Sequence, residues 1–157
     1  MSRRYVEVPA AEIPTRTRQA AENAAAFAAA DLGIPPPVIR WFEDCGTTSG
    51  ELLAGMGGSN MPAPPAGSFE EEQGILGKAV AAEPGTIWIK SHLGARRSCE
   101  VVLHECCHAF QRSLMGPAQG RIEFQGREEM ARTYESDSRG IARAIETTTP
   151  YEGEHDA

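Results

Sequence analysis

The sequence predicts an α+β domain, on three observations. A long helix with an apolar stripe lies past the middle of the chain, a strand rich in β-forming residues directly precedes it, and a second long helix follows it. Upstream, two more short strands flank an alanine-rich helix. At 157 residues the chain is one domain by size, 1–157, and long enough to bury a real core.

Taken in order, Tyr5-Val6-Glu7-Val8 alternates as a short strand does, and Pro9 and Pro14 punctuate the polar connection after it. Thr15 to Leu32 is alanine-rich, with Gly33 just past its end, which predicts a helix able to pack closely. Pro35-Pro36-Pro37 is a rigid spacer, and Val38-Ile39-Arg40-Trp41-Phe42 reads as a strand. From Asp44 to about Ser68 the chain is full of Gly, Pro, Ser and Thr, and a loop this long is either functional or flexible. Glu70-Glu71-Glu72 reads as a solvated charge run.

After the Pro84-Gly85 turn comes Thr86-Ile87-Trp88-Ile89-Lys90, the strongest strand signal in the chain. The next helix is predicted over about 99–115, with Ser98 as N-cap, Glu100 as a favourable first-turn charge and Gly116-Pro117 as its stop. Leu103, Cys107, Phe110 and Leu114 form its burial stripe. Arg121 to Gly126 reads as a connector, Arg127 to about Glu146 as the last long helix, and 152–157 as a short acidic tail.

Within the central helix, His104-Glu105-Cys106-Cys107-His108 has the H-E-x-x-H spacing. Histidines four apart sit one turn above each other on one face, so both imidazoles can reach one ion. Glu105 is rotated from them by about 100°, beside the ion without ligating it, where it can take a proton from water. A catalytic zinc site also wants a third protein ligand and one open position. The candidates on the last helix are Glu128, Glu129, Glu135 and Asp137. Met130, Tyr134, Ile141 and Ile145 share a stripe that should face the core, and Asp137 lies within about 45° of it, whereas Glu135 and Glu128 lie more than about 100° away. That makes Asp137 the first choice, Glu135 the second and Glu128 the third. His92, Tyr134 and Arg139 are candidate donors to a developing oxyanion.

The balance of 15 basic against 22 acidic residues, net -7, argues against a nucleic-acid-binding surface, and Arg3, Arg4, Arg16 and Arg18 read as a solvated arm and helix face. The longest apolar run, Ala24 to Ala30, is too short to span a bilayer, and nothing resembles a signal peptide. A cytoplasmic protein with no membrane partner is expected. The four cysteines suit reduced cytosolic thiols, and Cys99, Cys106 and Cys107 read as small buried hydrophobes ahead of thiol ligands or redox groups.

The segment from Val101 to Phe110 resembles the active-site helix of zincin-type zinc metallopeptidases. The Ala109-Phe110-Gln111 continuation and the downstream Tyr134-Glu135-Ser136-Asp137-Ser138 are similar to the small ImmA/IrrE-type peptidases of phages and mobile elements, over about residues 85–145. The resemblance implies a small zincin-like domain, a short mixed sheet packed on the H-E-x-x-H helix, with a following helix supplying the third ligand. It implies Zn2+ as cofactor, peptide-bond hydrolysis with Glu105 as general base, and a protein or peptide substrate extended along strand 86–90 at the sheet edge. Asp137 matches the second glutamate of the family's E-x-E-A pattern, with Ser138 where alanine is usual. Glu128 has a separation from His108 similar to that in thermolysin-like enzymes. The alternative is a catalytically inactive zincin-like structural or interaction protein that keeps zinc for stability, for example in a phage particle. Intact Glu105 weighs against it.

Overall fold

The computed structural model describes residues 3–47, 77–79 and 85–150. Most of the 44–68 loop, the Glu70–Glu72 run and the 152–157 tail lie outside the described residues. The architecture is α+β, as the sequence predicts. Four strands, β1 (Arg3–Val8), β2 (Val38–Thr47), β3 (Gly77–Ala79) and β4 (Thr86–Lys90), form one mixed sheet in the order β1-β2-β4-β3. Among the described residues four α-helices accompany it: α1 (Thr15–Leu32), α2 (Gly94–Met115), α3 (Arg121–Asp137) and α4 (Arg139–Thr148). None of the described helices is long and apolar enough to cross a membrane.

Helix α2 is the hub, touching all three other helices as well as β3 and β4. It can be central because its middle is buried nearly all round, from Cys99 through Val101, Val102, Leu103, Cys106 and Cys107. Helix α1 reaches it through Ala20, Ala21, Ala24, Ala25 and Ala28, small residues that let the two backbones come close enough for the Cys99 thiol to donate to the Ala20 carbonyl at 3.3 Å. Gly33 ends α1 with φ 71°, and its N–H returns to the Ala29 carbonyl. On the sheet, alternation sends Trp41, Ile87 and Ile89 toward the helices and Tyr5, Phe42 and Trp88 to the other face. There Arg40 lies over the Trp88 ring at 4.3 Å and pairs with Glu7.

Three expectations change. Helix α2 begins at Gly94 rather than near residue 99, and Ser98 is buried inside it instead of capping it. The expected connector 121–126 is helical, and the expected single helix 127–146 breaks at Ser138 (φ -96°, ψ 10°), so α3 and α4 present faces in different phase. Strand β4 is not an edge. It pairs in parallel with β2 over its whole length and antiparallel with β3, and the short β3 forms the border of the described sheet. An extended substrate therefore has no open backbone along 86–90 to pair with.

Candidate metal centre

His104 and His108 project from the same side of α2, with their Nε2 atoms 3.2 Å apart. Glu128 arrives from α3 and straddles them, one carboxylate oxygen 2.9 Å from His104 Nε2 and the other 2.9 Å from His108 Nε2. These three are a group that could hold a metal ion, their ligand atoms all within 4.8 Å of one another.

The outer nitrogens of both rings are also engaged. His104 Nδ1 is 3.1 Å from Glu135, whose other oxygen accepts from Arg97 at 3.0 Å. His108 Nδ1 is 2.9 Å from the side-chain oxygen of Gln111, and the Gln111 amide nitrogen donates to the Arg127 carbonyl at 2.9 Å. An ionised carboxylate and an amide oxygen only accept, so each Nδ1 carries a proton; each Nε2 faces a Glu128 oxygen, donates to it while the ring is protonated, and presents a lone pair once that proton leaves. Two such lone pairs and a carboxylate brought together repel unless a cation joins them. Protons on the two imidazoles do so in the metal-free pocket. A divalent metal fits better, because two imidazole nitrogens and one carboxylate, with outer partners fixing the rings, are the donor set such ions take.

The electrostatics agree. Burial disfavours charge on His104, but its hydrogen bonds to Glu128 and Glu135 outweigh that and raise its pKa to about 10. His108 moves up as well, against the same desolvation, mainly through Glu128. Although burial opposes it, Glu128 is held well below the usual carboxylate range by its bonds to the two histidines, and Glu135 is lowered by His104 and Arg97. Without a metal the pocket therefore keeps protons on its imidazoles, and a divalent ion would displace them.

Glu105, next to His104 on the same helix, is buried, 6% exposed, and its charge acts on both imidazoles. Beside it runs β3. A methyl placed on Gly77 would fall 2.9 Å from Glu105 Cγ, 2.6 Å from Val101 Cγ1 and 3.0 Å from the Trp88 carbonyl oxygen, so only glycine lets the border strand lie this close to the glutamate. Gly77→Ala is expected to destabilise the fold by about 1–3 kcal/mol, read as a fall in Tm of about 2–4 °C per kcal/mol. An unchanged Tm would show that β3 does not press on α2 in solution.

The other sequence candidates lie elsewhere. Asp137, the first choice for third ligand, is exposed at the end of α3 and outside the group that could hold an ion; Glu128 belongs to that group, and Glu135 lies behind His104. The physical reason is that α3 docks on α2 through Arg127 and Ala131. Met130, taken as inward, is 46% exposed. The docked face is rotated by about 60° from the apolar stripe, which swings Glu128 and Glu135 inward and Asp137 out. Among the oxyanion candidates, Tyr134 donates to Asp31 on α1 at 3.0 Å. His92 is mostly exposed, with φ 66° and Glu43 at 3.6 Å, and Arg139 is exposed. Arg132, which the sequence reading passed over, stands 3.9 Å from Glu128. Its i, i+4 spacing from Glu128 was the available signal. Cys99, Cys106 and Cys107 are free and buried, and burial lifts their pKa values to about 12, 12 and 11, as expected of inert core thiols.

Comparison with protein-family models, with curated proteins and with solved structures gives no match for this chain.

Proposed function

We propose that the protein is a zinc-dependent peptidase in which His104, His108 and Glu128 hold the metal and Glu105 is the general base. The observation that carries this reading is the convergence of the two Nε2 lone pairs and one carboxylate, with a second, non-ligating carboxylate one residue along the same helix. When bound, zinc supplies Lewis acidity, polarising the scissile carbonyl and acidifying the attacking water. Glu105 accepts the proton of that water and delivers it to the leaving nitrogen, which converts a poor amide leaving group into an amine. Its burial next to the Gly77 backbone limits the rotamers it can adopt and keeps bulk water from competing for the proton.

The substrate in this reading is an extended polypeptide lying against β3, the border strand, where backbone pairing would carry a peptide past Glu105 with little regard for its sequence. The α+β frame suits such a role, since the sheet and α2 fix the base and two ligands on rigid elements.

The test is metal loading of the purified protein followed by proteolysis of a peptide library. One zinc per chain is expected, with a Tm gain of about 5–10 °C when free zinc is 100 times Kd. Cleavage should vanish on chelation and return with zinc. Failure to take up zinc would sink the metal reading. Stoichiometric zinc without cleavage of any peptide would leave a metal-stapled interaction protein in its place.

A further inference from the structure

We propose that Gln111 is a positioning residue of the metal centre, fixing the His108 ring so that its Nε2 lone pair faces the ion. This rests on the metal-binding half of the function proposed above and needs no assumption about catalysis.

Gln111 is fully buried, and both ends of its amide are used. The Arg127 carbonyl, 2.9 Å from the amide nitrogen, can only accept, so that end must be the NH2 group. The opposite end is then the oxygen, which faces His108 Nδ1 at 2.9 Å and demands a proton there. A backbone carbonyl on α3 thereby dictates the orientation of an amide on α2, and the amide dictates the tautomer of a metal ligand. His104 has no such relay, because Glu135 accepts through either oxygen.

The same contact reaches the third ligand. Arg127 is the residue before Glu128, and its side chain is tied down by the Gly116 carbonyl and by Glu123, each at 2.6 Å. The bridge from His108 through Gln111 to the backbone at residue 127 thus joins two of the three ligands by one buried side chain.

The experiment is competitive zinc titration against a chromophoric chelator, with Tm recorded without metal, for wild type, Gln111→Met, Gln111→Glu and Phe42→Leu. Gln111→Met keeps the length of the side chain and removes its acceptor, so zinc affinity should fall by about 10–100-fold. Gln111→Glu restores an acceptor for His108 but sets an oxygen against the Arg127 carbonyl; its affinity should return to within about 3-fold of wild type while its metal-free Tm falls. Phe42→Leu trims a buried side chain on the face of the sheet away from the helices and should lower Tm while leaving zinc affinity unchanged. Should Gln111→Met not fold, Gln111→Asn, one methylene too short to bridge, takes its place with the same expected loss. Wild-type affinity in the Met or Asn variant overturns the proposal. So does an equal loss in Gln111→Glu, or an equal loss in Phe42→Leu, since each would make the effect one of packing alone. A wild type that binds no zinc would instead remove the metal centre itself.

Discussion

Glu105→Gln is expected to lower turnover by about 10²–10⁴-fold while zinc content and Tm stay close to wild type. Glutamine matches glutamate in size and fits the same slot between Val101 and the Gly77 backbone, so the fold has no reason to change. Glu105 is not among the three groups that could hold the ion, so the metal should remain. What disappears is an atom able to take a proton from water, and without it the attacking nucleophile must form unassisted. The variant is assayed on any peptide that wild type cleaves, with zinc measured on the same sample. Turnover equal to wild type would remove Glu105 from the role of base and with it the proposed mechanism.

Glu128→Ala should weaken zinc binding by more than about 100-fold, because it removes an inner ligand where outer partners alone are worth about 10–100-fold. Three variants decide the assignment together. Asp137→Ala should be indistinguishable from wild type, since the side chain is exposed and outside the group. Glu135→Ala should fall between, as it releases His104 Nδ1 and strips Arg97 of one of its two carboxylate partners. Competitive titration of all three under one buffer reads the order directly. A large loss in Asp137→Ala with Glu128→Ala intact would mean that α3 sits rotated in solution by more than a quarter turn from the arrangement described.

The difference between Asp137 and Glu128 shows what the sequence could and could not convey. Histidines at i and i+4 on an uninterrupted helix are a local pattern, and helical geometry alone places them together. Which carboxylate meets the two imidazoles depends on which face α3 turns to α2, and that is settled by size and pairing rather than by hydrophobicity. Ala131 faces inward because it is small enough for close approach, Arg127 because the end of α2 and Glu123 receive its charge, and Met130 is left outside. A stripe drawn through Met130 and Tyr134 therefore points to the wrong side. The break at Ser138 compounds this, since a single periodic count carried from 130 to 145 crosses two helices. Strands β1, β2 and β4 were visible as runs of β-branched and aromatic residues. Strand β3, Gly-Lys-Ala, carries no such signal; its position follows from pairing with β4 and from the missing side chain at Gly77. The start of α2 was missed because Ser98, an excellent cap by type, is buried instead.

The thin apolar seam beneath α3 has one more consequence. Apart from Ala131 and the shared Tyr134, what holds this helix to the rest is polar: the Arg127 clasp, the Gln111 bridge, the Arg97–Glu135 pair and the meeting of Glu128 with two imidazoles. Contacts of this kind are weakened by salt and competing ions far more than a hydrocarbon interface is. High salt is therefore expected to loosen α3 against α2 before it disturbs the apolar body of α1, α2 and the sheet.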